Sequence, residues 1–309
     1  MTVCVAAIAA KSKAIVMVSD KAITFGTERP MQADVDIKKI LPIGKTGWYA
    51  LVAGDPSFGR EVIDIVVDSI TVPGGKVHGI SSPATVRSMM HCLKDAYKIA
   101  RRQMVIDKIL APRMLDETKL QGLPEEYKIE IYSVIADFKI SCSLLVCGFD
   151  LERVPHLFSV TSPGIAVNHD IPGFHAVGVG RDIAIGELYQ FETETDESLD
   201  VALYEVFDAK ATAELIQGVG YEWDCLILSK DREPTEITAR VRKAVENILF
   251  EASSSPYHPD WGKKFDKMPA WKQTVKEFTD NILKPPVKFG SRRLKARASS
   301  SVTKSAQES

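Results

Sequence analysis

Two short runs of β-branched and small residues, Val3–Ala9 and Ala14–Ser19, stand at the start of the chain, separated by Lys11-Ser12-Lys13. This pattern predicts a β-hairpin that begins at the very N-terminus. The first residue of that hairpin therefore lies beside the α-amino group, and this bears on the chemistry the chain can carry. A second strand pair is expected over Asp34–Ile43 and Trp48–Ala53, with Gly44-Lys45-Thr46-Gly47 as its turn. Asp55 or Ser57 can cap a helix to about Ser69, in which Val62, Ile63, Ile65 and Val66 are helically spaced. After a Gly/Pro-rich loop, Ser82-Pro83 opens a long helix to about Leu110.

Residues 111–138 mix Pro, Gly and charge and read as an excursion. Ser141–Phe149 and His156–Thr161 form another strand pair, Asp182–Phe191 and Leu199–Gln217 two more helices, and Trp223–Ser229 a closing strand. Helices in consecutive pairs between antiparallel strand pairs predict an α/β (α+β) fold: two sheets face to face with helices outside, a four-layer α/β/β/α sandwich. This domain is expected over residues 2–230. Beyond it, Ile237, Val241, Val245, Ile248 and Leu249 give Pro234–Ala252 a helical period. Residues 231–290 thus read as a partly helical extension, and 291–309 as a disordered basic tail that solubilises the end of the chain.

At 309 residues, 45% hydrophobic and 26% charged with a net charge of −2, the chain suits a soluble globular protein with one substantial core. Its near-neutral balance gives no reason to expect nucleic-acid binding. Cys4, Cys92, Cys142, Cys147 and Cys225 form neither a CxxC pair nor a zinc-site spacing. They read as reduced core residues of a cytoplasmic protein. His78, His91, His156, His169, His175 and His258 show no ligand spacing, so no metal is expected. No apolar run approaches the ~20 residues of a membrane-spanning helix, and no basic segment precedes Val3–Ala10 as a signal peptide requires. The mature chain is expected to start at position 1 or 2.

Three stretches carry chemistry when taken together. Met1-Thr2-Val3-Cys4-Val5 places a threonine behind a removable methionine, so one residue would carry both a hydroxyl and an α-amine titrating near ~8. Ile15-Val16-Met17-Val18-Ser19-Asp20 ends a strand in a carboxylate, before Lys21-Ala22-Ile23-Thr24-Phe25-Gly26. By itself Asp20 is an ordinary turn former. In Asp36-Ile37-Lys38-Lys39-Ile40, alternation sends Lys38 or Lys39 inward. A buried ammonium needs a carboxylate, and Asp20 is the natural partner, unless the lysine snorkels to a sheet edge.

The order of an N-terminal Thr strand, Val18-Ser19-Asp20, Lys38-Lys39-Ile40 and Ala53-Gly54 leading into a helix resembles proteasome β-subunits and related bacterial ring peptidases, which are N-terminal-nucleophile (Ntn) hydrolases. The resemblance spans roughly residues 2–230 and is most specific over 2–58. It implies that Thr2 is the catalytic threonine, with its own amine as base, and that Asp20 pairs with the active-site lysine. Lys39 would be that lysine, with Lys38 in its place should the register slip by one. Gly54 would donate its N–H to the oxyanion, and Val52 and Pro56 would border the substrate pocket.

Two segments depart from that family pattern. Val179 stands where a serine is usual, and Ile216-Gln217-Gly218-Val219-Gly220 replaces an Asp-x-x-Ser-Gly element. Gly178-Val179-Gly180 reads as a turn and not a dinucleotide site, since Ile183 stands where a final glycine belongs. Cys4, mid-strand, reads as core and not as a nucleophile. The resemblance implies a threonine-type amide hydrolase, foremost a peptidase, that needs no cofactor and acts on a peptide or amide. It also implies self-assembly into a ring or lock-washer. The alternative is a catalytically silent proteasome-fold subunit that binds partners through its C-terminal extension.

Overall fold

The computed structural model describes residues 2–25, 31–34, 37–70, 85–253 and 271–284. β1 (Val3–Ala9) and β2 (Ala14–Asp20) form the expected hairpin, with Cys4 opposite Ser19 and Ala9 opposite Ala14. Its tip is tight: Ala10, Lys11 and Ser12 all have φ of 55–60°, a region that side-chain-bearing residues rarely occupy. Lys13 N–H closes it onto Ala9 O (3.1 Å), and Ala10 N–H to Glu197 O (2.6 Å) and Ser12 N–H to Thr195 O (3.2 Å) tie it to the segment before α6.

The second strand pair differs from expectation. β3 (Ala22–Phe25) pairs with β4 (Met31–Asp34) as a separate ribbon, and only β5 (Ile40–Pro42) pairs with β6 (Tyr49–Gly54). Residues 37–39 leave the ladder because Lys39 is turned toward Asp20, although Lys39 O still accepts from Val52 N–H (2.9 Å). Asp55 caps α1 (Pro56–Ile70), its Oδ1 accepting from Ser57 N–H (2.9 Å) and Phe58 N–H (3.2 Å). α2 (Val86–Val105) is capped by Thr85; Ser82 and Pro83 lie outside the described residues.

The excursion is helical. A π-helical turn (Ile106–Leu110) leads to α3 (Glu117–Gln121) and α4 (Glu125–Asp137), which share a small core of Val105, Leu110, Leu120 and Ile131. Then come β7 (Cys142–Phe149), β8 (Pro155–Thr161), β9 (Ile165–Asn168) and β10 (Phe174–Gly178). α5 (Arg181–Gln190), α6 (Leu199–Ala213), β11 (Trp223–Ser229) and β12 (Arg232–Glu236) follow. α6 stops at Ala213, four residues before its expected end, in a run of turns. The expected helix from Pro234 starts instead at Ala239, because Arg232–Glu236 pairs with β11. α7 (Ala239–Ser253) and a π-helical turn (Trp271–Lys276) running into α8 (Glu277–Leu283) complete the described chain.

The result is a mixed α+β fold with two five-stranded antiparallel sheets, ordered β10-β1-β2-β11-β12 and β5-β6-β7-β8-β9. Strand alternation explains how each run of apolar residues is used. Cys4, Ala6 and Ile8 of β1 meet Leu51 and Ala53 of β6 and Leu145 of β7 between the sheets. Val3, Val5 and Ala7 face α5 and α6, while Ala50 and Val52 face α1 and α2. The sequence boundary at 230 falls between the paired strands β11 and β12. Val241, Val245, Trp271 and Ile282 lie in the same cluster as α6, and Trp271 Nε1–H donates to Asp200 Oδ2 (3.0 Å). Residues 291–309, read as a disordered tail, lie outside the described residues. Among the described residues no helix is long and apolar enough to cross a membrane.

Glu205 of α6 is 4% exposed, and its Oε2 meets no hydrogen-bond donor among the described residues. Burial pushes its carboxyl up to about 8. A raised folded-state pKa means that stability is fully present below the unfolded value near ~4.3 and is lost as pH rises through the folded value. Glu205→Gln should therefore leave stability at pH 4 nearly unchanged. It should raise it by roughly 1–3 kcal/mol above pH 8, the scale of one unpaired buried polar group, as read by urea denaturation at both pH values.

Candidate active site

Thr2 immediately precedes β1 and is 3% exposed. Its carbonyl accepts from Val179 N–H (2.8 Å), which fixes the start of β1 against the end of β10. The hairpin register sets Asp20, the last residue of β2, beside Val3, whose N–H donates to Asp20 Oδ1 (3.2 Å). Asp20 is fully buried, and its Oδ2 accepts from Gly220 N–H (2.9 Å).

Lys39, 4% exposed, completes the group. Its Nζ donates to Thr2 Oγ1 (2.5 Å), Asp20 Oδ1 (2.9 Å) and Ala22 O (2.6 Å). An ammonium has three N–H bonds, and here each has an acceptor, which is the condition for tolerating a charge away from water. The choice between adjacent lysines is also settled: the Lys38 side chain is 68% exposed and pairs with Glu236 on β12 (2.8 Å). Thr2, Asp20 and Lys39, predicted from three separate stretches, thus lie within direct hydrogen-bonding reach.

Gly54 ends β6, is exposed and has φ +98°. A Cβ placed there would lie 1.8 Å from Ser141 O, so no other residue fits this backbone. Gly178 (φ +101°) is equally constrained: a Cβ on it would lie 2.1 Å from Thr2 O and 3.3 Å from Ala53 Cβ. That one point relates the end of β6 to Thr2 across the two sheets. Pro56, half-buried, opens α1. The Val52 side chain packs against α1, where a Cβ on Gly59 would meet its Cγ1 at 2.4 Å. Both expected pocket residues therefore sit on the α1 side of Gly54.

The two departures from the family pattern are filled by main chain. Val179, its side chain in solvent, contributes its N–H to Thr2 O. The 216–220 segment has no acid or serine, yet its Gly220 N–H reaches Asp20. Behind it, Lys210 of α6 is 1% exposed and donates to Glu214 and to Tyr221 O (3.0 Å). Burial pushes the Lys210 ammonium down, opposed by Glu214 and Asp20. Gly178, Gly220, the Ala22 carbonyl and Lys210 were not anticipated. Backbone donors and acceptors leave no mark in a sequence beyond the glycines that let them approach, and Lys210 belongs to a helix whose burial depends on distant segments.

Other candidate groups fall away on geometry. Cys4 Sγ lies 3.7 Å from Val52 O, and burial pushes its thiol far above the range of a nucleophile. Cys142, Cys147 and Cys225 are also buried, whereas Cys92 is only half-buried, a partial departure from the core reading. Among the described residues no group of three or more His, Cys, Asp or Glu side chains is placed to hold a metal ion. A cleft of about 440 Å³ beside Lys38, Tyr49 and Trp223 and one of about 340 Å³ beside Arg101 and Leu120 do not include Thr2, Asp20 or Lys39.

No family model and no curated protein matches the sequence. Solved structures do match. The chain is similar to an Anbu (Gly-1) mutant from Hyphomicrobium sp. strain MC1, with TM-score 0.55 and 16% identity over 84% of this chain and 99% of that one. It is also similar to Anbu, an ancestral beta-subunit, from Yersinia bercovieri, with TM-score 0.58 and 14% identity over 87% of this chain and 98% of that one. At such identities the likeness is one of fold: a mixed α+β, proteasome-like fold shared along nearly the whole length of both Anbu chains.

Proposed function

We propose that the chain is a threonine-type amide hydrolase, acting as a peptidase, with Thr2 as nucleophile once Met1 is removed. The observation that carries this reading is the contact of Lys39 Nζ with both Thr2 Oγ1 (2.5 Å) and Asp20 Oδ1 (2.9 Å) in a buried setting. All three Lys39 N–H bonds are committed, so Thr2 Oγ1 accepts from Lys39 and keeps its own proton to donate. The freed α-amine takes that proton as Oγ1 bonds to the substrate carbonyl carbon. Negative charge moves to the carbonyl oxygen, where Gly54 N–H donates to it. Collapse breaks the C–N bond, the α-ammonium protonates the departing amine, and an ester remains on Thr2. Water then passes a proton to the α-amine, attacks the ester and releases the acid. Lys39 remains charged throughout, favouring the oxygen nucleophile and the neutral amine.

In this reading the two sheets and their flanking helices form the four-layer sandwich of an Ntn hydrolase. Copies of the chain assemble into a ring or lock-washer, and Val52 and Pro56 support the wall of the substrate pocket. The 3% exposure of Thr2 favours a second reading, a silent subunit whose site is closed and whose C-terminal helices bind partners. Intact-mass measurement followed by treatment with a peptide epoxyketone separates them. Loss of Met1 and an adduct on Thr2 are expected. A retained Met1 would block the amine and sink the mechanism, and a processed but unreactive Thr2 would establish the silent subunit.

A further inference from the structure

Asp20 orients Lys39, and Oδ2 of Asp20 is held by one amide, Gly220 N–H (2.9 Å). That amide belongs to a run of turns between α6 and β11. The run contains Gly218 at φ +99° and is closed by Leu215 N–H to Thr212 O, Ile216 N–H to Ala213 O and Val219 N–H to Ile216 O. Each of these bonds is local, so none fixes where the run lies relative to β2. Contacts from outside do so: Lys21 N–H donates to Glu222 O (2.8 Å) where β11 begins to pair with β2, Val219 packs in the same core cluster as Val3, and Lys210 Nζ joins Glu214 at the start of the run to Tyr221 O at its end (3.0 Å). Tyr221 directly follows Gly220.

We propose that Lys210 is a positioning residue for the active site: it staples the 214–221 segment so that Gly220 N–H stays on Asp20, and through Asp20 it sets Lys39 against Thr2. Lys210 touches none of the reacting groups. A lysine 1% exposed on a helix covered on every side is costly to keep, and an apolar residue would pack there at least as well. What an apolar residue cannot do is bridge a carboxylate and a carbonyl seven residues apart.

The catalytic half of this inference rests on the hydrolase reading, but its structural half does not, and the test keeps them apart. Lys210→Met preserves volume and leaves Glu214 partly open to water; Glu214→Gln is the milder second variant. Hydrogen exchange followed by mass spectrometry on the full chain should show residues 214–222 exchanging at least about tenfold faster in Lys210→Met, with β1 and β2 unchanged. In processed protein, epoxyketone labelling of Thr2 should slow by about tenfold, equivalent to ~1.4 kcal/mol. The apparent pKa of the labelling rate should shift as well, whereas general loosening lowers the rate alike at every pH. Unchanged exchange at 214–222, or uniform acceleration across the chain, overturns the proposal. If wild-type Thr2 is not labelled at all, the hydrolase reading fails while the exchange result still decides the staple.

Discussion

Lys39→Ala is expected to remove epoxyketone labelling of Thr2 by at least about a thousandfold and to destabilise the fold by roughly 3–5 kcal/mol. Both effects follow from one geometry. Asp20 is fully buried, and the Lys39 ammonium, 2.9 Å from its Oδ1, is its direct counter-charge. Deleting one partner of a buried pair strands the other, and the stranded charge, more than the lost attraction, sets the cost. The same deletion removes the cation 2.5 Å from Thr2 Oγ1 that favours its nucleophilic form. Lys38→Ala is the matched control. Its pair with Glu236 lies in solvent, with side chains 68% and 70% exposed, and such pairs contribute about 0–1 kcal/mol. Mass spectrometry of the adduct and urea denaturation of both variants read the two effects. If Lys39→Ala labels at the wild-type rate, the pair is structural only and the proposed mechanism falls.

Gly178→Ala should be nearly as damaging, for a steric reason. The residue has φ +101°, and a Cβ there would lie 2.1 Å from the Thr2 carbonyl oxygen and 2.8 Å from its carbon. The obstacle is backbone, so no rotamer change can relieve it. Left-handed strain of about 1–2 kcal/mol adds to an overpacking cost of about 1–3 kcal/mol, for a loss of roughly 2–5 kcal/mol. Any relaxation must move Thr2 or break its bond from Val179 N–H, so labelling of Thr2 should fall as well. Gly47→Ala isolates the strain: φ there is +78°, with nothing within 4 Å of an added Cβ. Equal melting temperatures for the two variants would show that the approach at Gly178 does not constrain Thr2.

Much of this arrangement can be read from the chain alone, because its signals are local. The N-terminal hairpin shows as two apolar runs around a polar turn, and the Asp55 cap as an acid before a helical period. A threonine, an acid and a lysine at the margins of apolar strands mark the candidate group when the resemblance joins them, since burying such residues needs a chemical reason. Other local signals misled. Residues 34–43 read as one strand, yet Asp34 ends one ribbon and Ile40–Pro42 belongs to another sheet, with the inward Lys39 between them. The turn at Gly178-Val179-Gly180 is legible, but the edge strand Phe174–Gly178 that leads into it and pairs with β1 is not.

The sequence by itself determined which residues are available for chemistry, and roughly which segments are strands and helices. Side-chain identity and apolar period are properties of neighbours along the chain. Only the tertiary structure decided that Lys39 and not Lys38 points inward, since one residue of register reverses every side chain. It alone supplied the Val179 and Gly220 amides and the Ala22 carbonyl, because every residue type presents a carbonyl and nearly every type an N–H, and only position makes one of them functional. It also buried Lys210: α6 is covered by segments as distant as Trp271, and the lysine on it meets Glu214 and Tyr221 O, neither of which its own place in the sequence reveals.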